Sequence, residues 1–269
     1  MDEQTYGLEA IMKGRVATYA LLVRLYRREV DQELLDEMCE MRFPVGVGNT
    51  ELDEGYRLFH AYLGTVWERT LTDLAVDYAR VFLGNGMNAY SAAYPFESVH
   101  TSSKRLLMQD ARDEILAIYR ANDLSVPESW KVGEDHISLE LEFMRILTER
   151  VLRALRDEGE NDMMSLLRTQ YNFLMDHLVS WTPMLFAEMM KFAQTDFYRA
   201  LAHLTAGFLA TDREFLEDLL DEDVLDESLL AEDVSDEGLS DEDVSDEGLS
   251  DEVLSDEGLL ATETGVVDD

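Results

Sequence analysis

The chain has 269 residues, 58 of them acidic against 22 basic, for a formal charge of −36 at neutral pH. Recognition of nucleic acid needs clustered Lys and Arg, so that partner class is excluded. Only four prolines and fifteen glycines interrupt a chain that is 46% hydrophobic, and the single cysteine, Cys39, rules out an intrachain disulfide. An all-helical core in a reducing compartment follows.

The first amphipathic pattern covers residues 6–28, with Leu8, Ile11, Met12, Tyr19, Leu22, Leu25 and Tyr26 as its apolar stripe. Its acidic start is not a secretory signal, and the chain holds no apolar run of about eighteen residues. A cytoplasmic protein without stable membrane insertion is expected. A second helix over 31–41 is capped by Asp31 and ended by Phe43-Pro44 and the turn at 46–49. The Gly46-Val47-Gly48 triplet lacks the strand and helix of a dinucleotide loop. Residues 51–63 carry Tyr56, Phe59 and Tyr62. Residues 65–83 place Trp67, Leu71, Leu74, Tyr78 and Phe82 on one face.

Residues 84–101 form a loop in which Tyr90, Tyr94, Pro95 and Phe96 suit either packing onto the core or lining a groove. A helix over 104–121 and a linker at 125–128 lead to the most strongly periodic stretch, 131–148. Ile137, Leu141, Met144 and Leu147 commit one face of it to a core, and Asp135 stands where an N-cap carboxylate accepts from the first turn. Helices over 161–180, over 184–193 after Pro183, and over 195–210 complete the folded part. No segment alternates as a strand does.

From Glu214 onward the composition changes: 24 acids and no Lys or Arg. Units such as SDEGL and SDEDV recur every five residues between 220 and 259. A period of five matches neither helix nor strand, and the charge density prevents burial. Residues 1–213 therefore read as the folded domain. Residues 214–269 read as a disordered acidic tail, helical at most at its start, that makes no core contact.

Asp135 and His136 are the most chemical pair in the chain. A cap beside a surface imidazole is one reading of them. His136 and Glu140 are spaced as two metal ligands, but zinc needs three or four, so no metal site is read. Ser98 with His136 and Asp135 has the composition of a hydrolase triad without a G-x-S-x-G elbow, so no enzyme and no cofactor are expected.

Four stretches in order resemble the TorD/DmsD/NarJ family of redox-enzyme maturation chaperones, covering about residues 6–212. Asp77-Tyr78-Ala79-Arg80-Val81-Phe82-Leu83-Gly84 is similar to the Tyr-x-x-Phe-x-Gly element before the aromatic loop. Tyr94-Pro95-Phe96-Glu97-Ser98-Val99 resembles a Pro-Tyr-Glu-Ser-Val box with Phe96 in the Tyr place. Glu134-Asp135-His136 and the helix after it resemble an acidic-Pro-x-Asp-His stretch, with Gly133 near where a proline is common. His177-Leu178 with Trp181, then Phe197-Tyr198-Arg199, is similar to the C-terminal helices.

The resemblance implies a TorD-like helical bundle that binds the twin-arginine leader, and often the body, of a molybdopterin-containing reductase catalytic subunit. Export then waits on cofactor insertion. Such a leader joins two guanidinium groups to an apolar stretch, and its receptor needs carboxylates beside an apolar cleft. Glu97, Glu134 and Asp135, with Ser98 and His136 beside them, answer the first need. Tyr78, Phe82, Phe96 and Met144 answer the second. A buried carboxylate without a partner is expensive, so Asp135 is expected to have a local donor. The alternative is a helical scaffold that recruits basic partners through the acidic tail. The sequence leaves the client, and the choice between monomer and helix-swapped dimer, open. It holds no G-x-x-x-x-G-K-[ST] loop to support a guanine-nucleotide site.

Overall fold

The computed structural model describes residues 3–84, 91–127, 129–156 and 160–235, with side chains over 7–84, 91–127, 129–156 and 163–221. Among them every regular element is helical. In order these are α1 (Glu3–Arg27), α2 (Gln32–Glu40), α3 (Thr50–Leu63), α4 (Thr70–Tyr78), α5 (Glu97–Thr101), α6 (Asp110–Ala121), α7 (Ile137–Arg156), α8 (Glu160–Phe173), α9 (Thr182–Phe192) and α10 (Asp196–Ser235). Two of them run on into wide π-helical turns, α4 through Ala79–Leu83 and α8 through Leu174–Val179.

The broad apolar face of α7 makes it the centre. Ile137, Leu141, Met144, Leu147 and Val151 are fully buried, and α7 packs lengthwise on α1 and on α8. α3 lies close against α10 because Gly55 has no side chain: a Cβ there would stand 2.8 Å from the Leu204 backbone nitrogen. A polar knot ties α1, α8 and α10 together inside this core. Arg15 donates to both oxygens of Asp212 (2.5 and 2.9 Å) and to Gln170 (2.8 Å), while the Tyr19 hydroxyl donates to Asp212 at 2.6 Å. Burial alone would weaken the Arg15 guanidinium as a base; the charge and hydrogen bonds of Asp212, together with Tyr19, more than reverse this.

The sequence places most elements within a few residues, and the departures have local causes. Asp31 caps α2 as expected, accepting from Leu34 N at 3.1 Å. The helix expected from 65 begins at Thr70, whose hydroxyl accepts from Trp67 N (2.9 Å); Trp67 is left 57% exposed rather than on the apolar face. The loop expected over 84–101 contains α5, and Gly84 turns into it with a φ of +63°. The helix expected from 104 begins only at Asp110. Residues 102–109 form an irregular strap, with Arg105 and Met108 in the left-handed region (φ 51° and 57°). Tyr90 lies outside the described residues.

At the C-terminus the expected boundary after residue 213 is corrected. α10 runs to Ser235, Leu216 is fully buried, and Phe215, Leu219 and Leu220 pack against the core. The compact unit extends to Asp226, and the second unit comprises Glu227–Asp269. The signal was present in the sequence: Leu216, Leu219 and Leu220 continue the spacing of Phe208 and Leu209 before the five-residue period takes over. From residue 236 onward the repeats lie outside the described residues.

Candidate functional site

Two short segments, Pro95-Phe96-Glu97-Ser98 and Glu134-Asp135-His136-Ile137, are zipped together on the bundle. Glu97 N donates to Asp135 O and Ile137 N to Pro95 O, both at 3.0 Å, so that Phe96 and His136 pair as an isolated antiparallel bridge. The rings follow the backbone, with Phe96 and His136 edge to face at 4.9 Å.

Side chains exchange caps across this zipper. Asp135 Oδ2 accepts from Ser98 N (2.9 Å) and from the Ser98 hydroxyl, in the first turn of α5 rather than of α7. The α7 start is served by His136 instead, whose Nδ1 accepts from Ser138 N (3.1 Å) and the Ser138 hydroxyl (2.8 Å). The sequence reading of Asp135 as the α7 cap is therefore corrected, while its need for a local donor is met by Ser98. An Nδ1 that accepts a backbone N–H carries no proton, so neutral His136 is protonated on Nε2. Burial pushes its pKa down to about 3. Ser98 Oγ passes the order on by accepting from Gln109 N at 3.2 Å, which fixes the end of the strap.

Beneath the zipper the core is acidic. Glu97 Oε2 meets His177 Nδ1 at 3.1 Å, and the π-helical turn after α8 carries that histidine. Glu140 Oε2 accepts from the Trp181 indole at 3.1 Å. Glu140 Oε1 and Asp135 Oδ1 are buried without a hydrogen-bond partner among the described residues. Burial pushes the Glu97 carboxyl up against the opposing His177 bond, and pushes Glu140 well up, with Glu97 and Asp135 adding repulsion. Tyr119 is driven well above the phenol range by burial and by Glu140, Asp135, Glu97 and Glu134. Glu134 differs from the rest. Burial pushes its carboxyl up, but a two-pronged pairing with Arg112 (2.6 and 3.1 Å) outweighs that and holds it below the usual range.

The nine sequence candidates separate into two groups. Glu134, Asp135, His136, Phe96, Glu97 and Ser98 come together in the zipper. Tyr78, Phe82 and Met144 are core residues: Tyr78 donates to Tyr26 O (3.0 Å), and its ring packs on Phe82 (5.1 Å), which packs on Tyr198 (5.8 Å). Those aromatic contacts run toward α1 and α10. Glu97 also lines a groove of about 470 Å³ with Thr101, Lys104, Asp110 and Glu114. His136 and Glu140, spaced as metal ligands, turn to Ser138 and Trp181 instead. Sequence reasoning missed Arg112 and Tyr119. Their partner Glu134 lies 22 and 15 positions away, a separation that carries no periodic signal.

Among the described residues no helix is long and apolar enough to cross a membrane. The model of the nitrate reductase delta subunit family matches residues 49–187, which span α3 to α8 and the whole zipper. The chain is 27% identical over 150 residues to the chaperone protein TorD of Vibrio cholerae, covering 56% of this chain and 65% of that one. Over 217 residues it is 28% identical to TorD of Photobacterium profundum (77% and 96% of the two chains). Over 232 residues it is 24% identical to TorD of Shewanella pealeana (82% and 97%). The match with the Vibrio cholerae protein thus spans just under two thirds of that relative, and the others nearly all of theirs. With the family model covering more than half of the chain, and with the first three motif-bearing segments and the His177-Leu178 and Trp181 part of the fourth inside it, the chain belongs to the nitrate reductase delta subunit family, the TorD/NarJ group.

Proposed function

We propose that this protein is a cytoplasmic chaperone for a molybdopterin-containing oxidoreductase. It binds the twin-arginine leader of the catalytic subunit, holds the apoenzyme, and delays export until the cofactor is in place. Family membership and relatives that carry the name TorD chaperone support the class of activity. The observation that carries the leader reading is the concentration of carboxyl groups around Tyr119, namely Glu97, Asp135, Glu140 and Glu134, with Glu97 reaching the groove beside them. Among the described residues, Glu134 in it is bonded to Arg112. An acidic corner set in an apolar bundle complements a ligand made of two guanidinium groups and a greasy stretch, because guanidinium pairs with carboxylate in charge-assisted, two-pronged bonds. No covalent step is needed: His136 is neutral, donates from Nε2 and suits a peptide carbonyl.

Isothermal titration calorimetry with a synthetic leader tests this. The paired-arginine peptide should bind, and changing both arginines to alanine should weaken it at least about tenfold, the loss of roughly one charge-assisted contact or more. Equal affinity for the two peptides removes the reading. The acidic composition from Glu214 onward favours the scaffold alternative, in which basic partners would be lost when residues 236–269 alone are deleted.

A further inference from the structure

The strap over 102–109 has no role in the reading so far, yet it is built with care. Three consecutive large apolar side chains, Leu106, Leu107 and Met108, are 49%, 49% and 67% exposed. The backbone holds them out through two non-glycine residues of positive φ, Arg105 and Met108, a conformation that L side chains adopt at a cost. It is pinned at both ends. Leu106 N donates to Ser102 Oγ (3.2 Å), Arg105 donates to Glu188 on α9 (2.7 Å), and Gln109 N donates to Ser98 Oγ. Met184, one turn from Glu188 on α9, is a further exposed apolar side chain at 43%. Both ends of the strap also line the groove that holds Glu97, Asp110 and Glu114 against a single Lys104.

We propose that this strap and its acidic groove are where the leader docks. Its arginines enter the groove toward Glu97, Asp110 and Glu114, and its apolar run lies over Leu106, Leu107, Met108 and Met184. The inference rests on the leader reading above and locates it. Charge complementarity selects the occupant: a second copy of a chain with a charge of −36 is repelled, whereas a cationic segment that turns apolar satisfies both halves of the surface. In this arrangement Asp135 is a positioning residue. Through Ser98 and Gln109 it fixes the strap and, being buried, leaves the contact itself to others.

The test is calorimetry of the paired-arginine leader and its double-alanine form against the full chain and four variants: Leu107→Glu, Met108→Glu, Glu114→Lys and, as a control, Val45→Glu on a separate loop. Melting curves establish that each is folded, and Leu107→Ser replaces Leu107→Glu if that one is not. Strap and groove variants should bind at least about tenfold more weakly, while Val45→Glu binds as the wild type does. In the wild-type protein, a leader carrying a photo-reactive phenylalanine in its apolar run should label residues 102–109. If the leader binds the wild type with its arginine preference, but the strap and groove variants bind it equally and labelling falls elsewhere, the docking surface is wrong and the function stands. If the wild type does not distinguish the two leaders, both fall.

Discussion

Truncation separates the packed end of α10 from the acidic repeats. A chain ending at Arg213 loses Leu216, fully buried, and the half-buried Phe215, Leu219 and Leu220. Returning one buried leucine to water costs about 2 kcal/mol, and three half-buried apolar side chains add roughly 2 more. The new end also falls one residue past Asp212, whose carboxylate holds the buried Arg15. Fraying there adds to the loss, since an uncompensated buried charge costs about 3–5 kcal/mol. A total of at least about 4 kcal/mol lowers the melting temperature of a domain this size by about 8–16 °C. A chain ending at Ser235 keeps all of these contacts and should melt within about 2 °C of the full length. Thermal melts by circular dichroism decide it. If the chain ending at Arg213 melts with the longer two, the packing assigned to α10 beyond residue 213 is refuted.

The zipper and its histidine give two further outcomes. Asp135→Ala leaves the Ser98 N–H and hydroxyl buried without an acceptor, which should cost about 2–4 kcal/mol in urea denaturation. It should also lower the client's activity in cells at unchanged chaperone abundance; a fully active client would reduce Asp135 to a cap. His136 has its folded pKa pushed down to about 3 by burial, below the ordinary value near 6.5. The unfolded chain thus takes up a proton that the folded one refuses. Its contribution is fully present above about pH 6.5 and is lost as the pH falls toward 3, at up to about 1.4 kcal/mol per unit. The raised carboxyls of Glu97 and Glu140 act in the opposite sense. Stability measured at pH 7 and pH 5 should therefore fall less for His136→Asn than for the wild type, and parallel falls would contradict a buried neutral imidazole.

How much was legible in the sequence depended on whether the cause was local. α7 could be read from Ile137, Leu141, Met144 and Leu147, because one buried face at helical spacing is a property of consecutive residues. The Asp31 cap could be read for the same reason. The sequence misplaces the cap at Asp135 because its Oδ2 answers to Ser98, 37 positions earlier. Nothing in the local pattern distinguishes a carboxylate that serves the following helix from one that serves a helix across a bridge. The composition of the strap from 104 onward allows a helix. What denies it is tertiary: Ser98 Oγ and Glu188 take its donors and hold Arg105 and Met108 left-handed. The mixed fate of the site candidates has the same origin. Tyr78, Phe82 and Met144 are apolar residues near the motifs, and apolar residues near a motif are the ones a core claims first. The residues left outside, Leu106 to Met108, are apolar with no core to enter. A chain that spends backbone strain to hold them in water beside three carboxylates is shaped by what must land there.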